Sequence, residues 1–316
     1  MFEMMLTKLP AKKGESFRLL PGANPYPESR LYDMNASYIG LMNIAGVVYL
    51  LPHNQTAYDL LVPYKWDPEA EAFTPVTGLT YPVQYRLRGS LVDINGKLGM
   101  RWSSSNDRWL QRESTRITDS TLVSLLSLLG SGSYSADILS AVAGGKQIFA
   151  AAGFNSKPVL CMFKGTPNSN YNNANITWDM LSNFTGASGN LGMYQWVVGQ
   201  YAYFLMQGPL FYRVDLTTGT VVSIAAPSFS IDFRSGFGIN MPVIGTRLYL
   251  VDRTGGISYF DTKTNLWVQL ERPAIFSKTM GLMTAAPTSD GKLLVHPGQK
   301  ANWMPMPDLY LYTPPT

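Results

Sequence analysis

The stretch Leu248-Tyr-Leu-Val-Asp-Arg-Thr-Gly-Gly-Ile-Ser-Tyr-Phe-Asp-Thr-Lys-Thr-Asn-Leu-Trp267 decides the fold. Two short apolar runs flank Gly255-Gly256, and a turn-forming segment leads from Phe260-Asp261 to Trp267. Apolar runs rich in β-branched and aromatic residues between glycine-containing turns are typical of β-hairpins. An aspartate such as Asp261 closes a turn by bonding the backbone two residues further on. The stretch therefore predicts a hairpin with Phe260 and Trp267 on one face.

The same pattern recurs along the chain. A glycine followed within three residues by an apolar run occurs six times, 46 to 54 residues apart, at Gly46, Gly96, Gly145, Gly199, Gly245 and Gly291. Further pairs repeat the spacing of Phe260 and Trp267: Trp66 with Phe73, Trp102 with Trp109, and Val214 with Val221. Asp67 and Asp215 take the place of Asp261 in two of them. With an apolar stretch before each glycine, every unit supplies about four short strands.

Units of four strands repeated every 40–50 residues predict a β-propeller. We expect one all-β domain over residues 1–316 with six blades, at roughly 37–76, 82–112, 138–181, 192–224, 236–270 and 281–312. The last unit lacks an outer strand, and residues 2–9 resemble the outer strand of the fifth unit. We expect residues 2–9 to complete the last blade and remove an open sheet edge. An open solenoid and two sandwiches are the alternatives.

The fifth unit resembles a kelch repeat, the repeat of galactose-oxidase-type propellers. That repeat has four hydrophobic residues, a diglycine, an aromatic residue, six further residues and a tryptophan. Here these are Leu248–Val251, Gly255-Gly256, Phe260 and Trp267, with phenylalanine in the place of tyrosine. The resemblance implies a kelch-like propeller and assigns no activity to any residue.

Two insertions are the candidate binding sites. The run 121–129 predicts a short helix near 120–129 that is apolar around most of its circumference. Its partner-binding candidates are Leu122, Leu125, Leu126 and Leu129; the alternative is that the protein's own blades cover them. The segment 165–188 predicts a loop for polar recognition of a ligand or partner. Its candidates are Tyr171, Asn172, Asn173 and Trp178, and the alternative is a solvated hairpin tip.

Catalytic and metal-binding patterns are scarce in the sequence. The single cysteine, Cys161, lies in an apolar run, and the two histidines, His53 and His296, lie beside prolines and are interpreted as turn residues. Phosphate-binding, dinucleotide-binding and zinc-protease motifs do not occur. We therefore expect no catalytic residues, no cofactor and no metal site. A pair of carboxylates for a glycan-active enzyme is the remaining enzymatic alternative, because distance in sequence does not report distance across a propeller.

Composition points to an interaction protein. The chain of 316 residues has only 15% charged residues, a net charge of +4, and 18 tyrosines, 28 glycines and 15 methionines. This composition looks like that of a virion protein of a tailed bacteriophage, built into a tail, nozzle, collar or fibre. We expect folding in a reducing cytoplasm without a signal peptide, a final location in the virion, and other protein subunits as partners. We expect no membrane span and no specific nucleic-acid site. A carbohydrate-binding propeller that recognises a cell-surface glycan is the alternative.

Overall fold

The computed structural model describes a set of ranges that runs from residue 16 to residue 315. They are residues 16–26, 36–44, 46–54, 60–61, 63–77, 81–82, 91–94, 97–102, 108–111, 116–117, 137–143, 146–152, 159–164, 177–183, 193–206, 208, 210–231, 239–251, 256–270, 283–298 and 306–315. Within these ranges the chain forms strands and turns and no helix.

The first half of the chain forms three sheets, each built in chain order. Sheet 1 contains β2 (Ala36–Ile44), β3 (Val47–Asn54), β5 (Tyr64–Asp67) and β6 (Ala72–Pro75). Sheet 2 contains β8 (Leu91–Ile94), β9 (Lys97–Trp102), β10 (Arg108–Gln111) and β11 (Arg116–Ile117). Sheet 3 contains β12 (Asp137–Ala143), β13 (Lys146–Ala152), β14 (Val159–Lys164) and β15 (Thr177–Asn183). A separate pair joins β4 (Leu60–Leu61) to β7 (Tyr81–Pro82).

The second half continues the series. Sheet 4 contains β16 (Met193–Val198), β17 (Tyr201–Met206), β18 (Leu210–Asp215) and β19 (Val221–Ile224), with β20 (Ile239–Asn240) added in parallel beside β16. Sheet 5 contains β21 (Val243–Ile244), β22 (Arg247–Val251), β23 (Ile257–Asp261) and β24 (Leu266–Gln269). Sheet 6 contains β25 (Thr284–Pro287), β26 (Leu293–His296), β27 (Leu309–Thr313) and, from the start of the chain, β1 (Ser16–Leu20).

The sheets succeed one another around a common centre. The first strand of each sheet approaches the first strand of a neighbour: β2 lies beside both β25 and β8, β12 beside both β8 and β16, and β16 beside β21. Antiparallel four-stranded sheets arranged in this way are the blades of a β-propeller. The prediction of an all-β propeller with four-stranded blades is therefore confirmed.

Buried apolar side chains fill the seams between neighbouring sheets. One cluster joins sheets 4 and 5 through residues such as Trp196, Phe211 and Phe260. A second cluster joins sheets 5 and 6, and a third joins sheets 6 and 1. Because successive residues of a strand point to opposite faces, the apolar runs of the second strands supply two seams at once. This two-sided burial explains the continuous apolar runs Leu248–Val251 in β22 and Leu293–Val295 in β26.

An N-terminal strand completes sheet 6, but it is not the segment that the sequence suggested. Five residues of β1 pair antiparallel with β27, from Ser16 opposite Thr313 to Leu20 opposite Leu309. Leu20 is buried, and the ring of Phe17 lies 4.6 Å from that of Tyr312. Leu20 and Phe17 thus add apolar side chains to the seams on either side of sheet 6. Residues 2–9, expected in this position, lie outside the described residues.

Three of the four predicted hairpin pairs lie opposite each other: Trp66 with Phe73, Val214 with Val221, and Phe260 with Trp267. The fourth prediction is wrong, because Trp102 lies opposite Arg108 and Trp109 opposite Arg101. Only five residues separate Trp102 from its partner, one fewer than separate Trp66 from Phe73. A register shift of one residue turns side chains to opposite faces of a sheet.

The helix expected near 120–129 lies outside the described residues. Among the residues that the structure does describe, no helix is long and apolar enough to cross a membrane.

Candidate interaction face

One end of the propeller is formed by its tight turns, and we call it the turn face. It carries the turns between first and second strands, at Gly46, Gly199, Gly245 and Gly291, and the turns between third and fourth strands, at Asp67, Asp215 and Asp261. The four glycines have φ values of 84°, 55°, 58° and 78°. This left-handed conformation favours glycine, which explains the glycine that begins these four repeats in the sequence.

Three aspartates close the outer turns with their carboxylates. Oδ1 of Asp215 accepts the backbone N–H groups of Thr217 at 2.8 Å and Thr218 at 3.2 Å. Asp67 does the same for the residues two and three positions further on, at 3.0 and 3.2 Å, and Asp261 accepts the N–H of Lys263 at 2.9 Å. The predicted role of the three aspartates is therefore confirmed. Fixed turns give the face a defined shape.

The two turns of one sheet are also joined to each other. In sheet 4 the N–H of Leu216 donates to the carbonyl of Gln200 at 2.8 Å, and Nε2 of Gln200 donates to Oδ2 of Asp215 at 3.2 Å. In sheet 5 the N–H of Thr262 donates to the carbonyl of Thr246 at 2.9 Å. The backbone N–H of Thr217 leads the interactions that lower the pKa of Asp215, so this carboxylate stays ionised at neutral pH.

Polar contacts cross the seam between sheets 6 and 1 on this face. Arg18 of β1 forms a two-pronged ion pair with Glu71, with Nη1 donating to Oε2 at 2.9 Å. Hydrogen bonding from Arg18 holds the pKa of Glu71 below its usual range. Nδ2 of Asn43 donates to the carbonyl of Pro287 at 2.6 Å. Sheets 6 and 1, the last and the first in chain order, are thus tied together.

The seams on either side of sheet 5 each contain an arginine over an aromatic ring. The guanidinium of Arg247 lies 5.1 Å from the centroid of the Tyr259 ring, and that of Arg213 lies 5.0 Å from the centroid of the Tyr201 ring. Nη1 of Arg247 also donates to the carbonyl of Pro315 at 2.8 Å. A cation over the face of an aromatic ring is attracted by the ring quadrupole.

Rings dominate the seam between sheets 4 and 5. The ring of Phe211 lies 5.0 Å from those of both Phe260 and Trp267, and Trp196 meets Phe211 edge-on at 6.2 Å. Both indole N–H groups bond to backbone carbonyls, that of Trp196 to Tyr249 at 2.7 Å and that of Trp267 to Ala225 at 3.1 Å. Paired rings with satisfied N–H groups stabilise the contact between the two sheets.

His296 is a structural residue at the opposite end of sheet 6. It is fully buried, its Nδ1 accepts the N–H of Gly298 at 3.2 Å, and its Nε2 lies 2.7 Å from the carbonyl of Met306. These partners assign a neutral ring with the proton on Nε2. Burial lowers the pKa from 6.5 to about 4. Both ring nitrogens join the two ends of the segment between β26 and β27, so this imidazole has no nitrogen left for a metal or a substrate.

The interpretation of both histidines as turn residues is wrong. His296 is the last residue of β26, and His53 belongs to β3. The run Leu293–Val295 before His296 is fully buried, and the strand continues to the histidine because its two nitrogens find backbone partners. Cys161, expected in an apolar strand, belongs to β14.

The residues that the sequence singled out for binding fall mostly outside the described part. This holds for Leu122, Leu125, Leu126 and Leu129 and for Tyr171, Asn172 and Asn173. Trp178, expected in the same loop, belongs instead to β15, where it lies opposite Phe163. Among the described residues no group of three or more His, Cys, Asp or Glu could hold a metal ion.

Sequence reasoning missed the arginines of the turn face. The alternation of β18, Leu-Phe-Tyr-Arg-Val-Asp, was a usable signal, because it places Arg213 on the same face as the buried Phe211. An arginine near the end of a strand, on the face that carries buried apolar side chains, lies in the seam between two sheets and close to a turn.

Comparison with known proteins identifies the fold. No family model and no curated protein matches the chain. Among the solved structures that match is the structure of YjhT, with a TM-score of 0.52 and 11% sequence identity over 88% of this chain and 93% of that one. At this identity the likeness concerns the fold alone, and it agrees with the sheet arrangement in indicating a β-propeller.

Proposed function

We propose that this chain is a non-enzymatic structural or interaction protein in which a rigid propeller contacts neighbouring subunits. The observation that carries the proposal is the construction of the turn face. Its outer turns are closed by aspartates, and its seams are tied by side chains such as Asn43 and Arg247. A surface fixed in this way loses little conformational entropy when a partner binds.

The finer form of the proposal is a kelch-like propeller of six blades, one for each of sheets 1 to 6. The run of first strands from β25 through β2 and β8 to β21 supports a ring. The support for the kelch relationship is the sequence of the sheet 5 unit, with its diglycine and the six residues between Phe260 and Trp267.

We place this propeller in the virion of a tailed bacteriophage, as part of a tail, nozzle, collar or fibre. The support is the composition, poor in charge and cysteine and rich in tyrosine, glycine and methionine. The use of His296 as a buried link between backbone groups is in keeping with a protein that performs no catalysis.

The test is the mass of the purified protein in solution, measured by light scattering over a concentration series. A defined oligomer is the expected result, and Leu125→Ser with Leu126→Ser is expected to weaken it if the segment 120–129 contributes to the contact. A mass of 35 kDa at every concentration, together with specific binders on a glycan array, would overturn the proposal in favour of a carbohydrate-binding propeller.

A further inference from the structure

Three arginines lie in three successive seams of the turn face, each on a different strand of its sheet. Arg213 of sheet 4, Arg247 of sheet 5 and Arg18 of sheet 6 lie on the sides of their sheets that face sheets 5, 6 and 1. Arg18 binds the Glu71 carboxylate of the next sheet, and Arg247 binds the carbonyl of Pro315, which follows the last strand of the next sheet. Two of the three arginines therefore have an acceptor from across the seam.

Arg213 is the exception within the described part of the chain. It is partly exposed, lies over the ring of Tyr201 and forms a hydrogen bond with the hydroxyl of Tyr203 in its own sheet. The ion pairs among the described residues are Arg18–Glu71 and Lys292–Asp290, so Arg213 has no carboxylate partner among them. The nearby Asp215 carboxylate is directed to its own turn, where Thr217, Thr218 and Gln200 donate to it. Val222, directly opposite Arg213 on β19, is 39% exposed. The outer corner of sheet 4 thus offers a cation beside an apolar side chain.

The matching feature is the outer turn of sheet 1, on the same face. Pro68, Glu69 and Ala70 are all exposed at the tip of this turn. The backbone N–H groups of Glu69 and Ala70 bond to Asp67, so the tip is held in place. No ion pair of Glu69 occurs among the described residues. The tip therefore presents a carboxylate between two small apolar residues.

We propose that Glu69 of one copy docks on Arg213 of a second copy, with the two turn faces toward each other. The inference rests on the proposed function, since it names the second copy as the neighbouring subunit. Both residues belong to the outer hairpin of their sheet and therefore lie at similar distances from the propeller axis. A two-fold axis in the plane of the turn face can exchange two such points, so the contact forms twice. Self-complementary contacts of this kind are typical of symmetric dimers.

The two ion pairs provide register and not the bulk of the affinity. Exposed ion pairs contribute little to stability, whereas like charges placed opposite each other suppress an interface strongly. Apolar contact between Val222 and the tip residues Pro68 and Ala70, together with the surrounding turns, supplies buried area. A specific interface needs about 1,000 Å² or more in total.

Reversing the charges of Arg213 and Glu69, singly and together, tests the proposed contact. The dissociation constant of the dimer is measured by sedimentation equilibrium for the wild type, Arg213→Glu, Glu69→Arg and the double variant. Each single change is expected to raise the constant about tenfold or more, because two like-charge contacts replace two ion pairs. The double variant is expected to return to within about threefold of the wild type. Lys263→Glu, which makes the same charge change at the outer turn of sheet 5, is the matched control: it is expected to raise the constant less than Arg213→Glu does, and Glu69→Arg is not expected to compensate for it.

Folding is checked separately by circular dichroism and thermal melting. If Arg213→Glu does not fold, Arg213→Gln removes the charge with less disturbance and is expected to weaken association in the same direction. An oligomeric wild type whose constant is indifferent to the single changes, or is not restored by the double variant, overturns this contact and leaves the proposed function intact. A wild type that is monomeric at every concentration overturns this contact, and specific binders on a glycan array in addition would overturn the proposed function as well.

Discussion

Gly219 and Asn265 occupy the same place in two outer turns. Each lies four residues after a turn-closing aspartate and donates its backbone N–H to that aspartate's carbonyl, at 2.8 Å in both. Their φ values are 75° and 57°, and Glu71 in the corresponding place of sheet 1 has 47°. This type of turn therefore requires a positive φ at the fourth residue after the aspartate, whichever side chain is present.

A first prediction follows from this shared conformation. Gly219→Ala is expected to lower the free energy of unfolding by about 1–2 kcal/mol, because a β-carbon is disfavoured at positive φ. Asn265→Gly is the matched change in the opposite direction and is expected to be neutral or mildly stabilising. Urea denaturation measures both, and equal destabilisation by the two changes would contradict a common turn geometry.

A second prediction concerns the carboxylates that close the turns. Asp67→Ala is expected to lower the free energy of unfolding by about 1 kcal/mol, because two backbone N–H groups lose their acceptor. Asp67→Asn retains an amide oxygen and is expected to lose less. If the two variants unfold at the same urea concentration as the wild type, the carboxylate does not stabilise this turn.

A third prediction uses the buried histidine. The pKa of His296 is lower in the folded protein, about 4, than its ordinary value of 6.5. The unfolded chain therefore binds a proton first as the pH falls, and stability decreases between about pH 6.5 and pH 4. The full decrease is about 3 kcal/mol, and above pH 6.5 this group causes no pH dependence.

The measurement is urea unfolding at pH 7, 5.5 and 4.5. His296→Gln is expected to be less stable at pH 7, since the Gly298 and Met306 contacts are disturbed, but to show a flatter profile over this window. A wild-type profile that is as flat as that of the variant would show that the imidazole is not held neutral by the fold.

A fourth prediction concerns the strand that completes sheet 6. Removal of residues 1–15 leaves β1 in place and is expected to preserve cooperative thermal unfolding. Removal of residues 1–26 uncovers the edge of β27 and removes Leu20 and Tyr26 from the seam with sheet 1. Exposed strand edges promote aggregation, so we expect a loss of soluble, cooperatively unfolding protein. Equal damage by both truncations would assign a structural role to the residues before Ser16.

The repeat, the turns and the strand pairs could be predicted from the sequence because each leaves a local signal. A glycine marks positive φ, an aspartate marks the closed turn, and a fixed spacing places Trp66 opposite Phe73. The spacing failed for Trp102 and Trp109 because a hairpin one residue shorter changes the register. Local signals specify a turn only when its length is also known.

Contacts between distant parts of the chain left no such signal. The pairing of Ser16–Leu20 with β27 joins residues nearly 300 positions apart, and residues 2–9 resembled an outer strand equally well in sequence. The pairing of Arg18 with Glu71, and the position of Arg213 beside Tyr201, follow from which sheets are neighbours. Such contacts depend on the assembled fold, whereas hairpin patterns depend on a few consecutive residues.

The short strand β20 has a consequence for what can pass through the molecule. It pairs with the inner edge of β16, continues this contact through the N–H of Met241 to the carbonyl of Gln195 at 2.9 Å, and approaches β8 on its other side. Backbone from this segment therefore stands in the space around which the blades are arranged. An open conduit along the axis of this propeller would therefore need the segment that contains β20 to move aside.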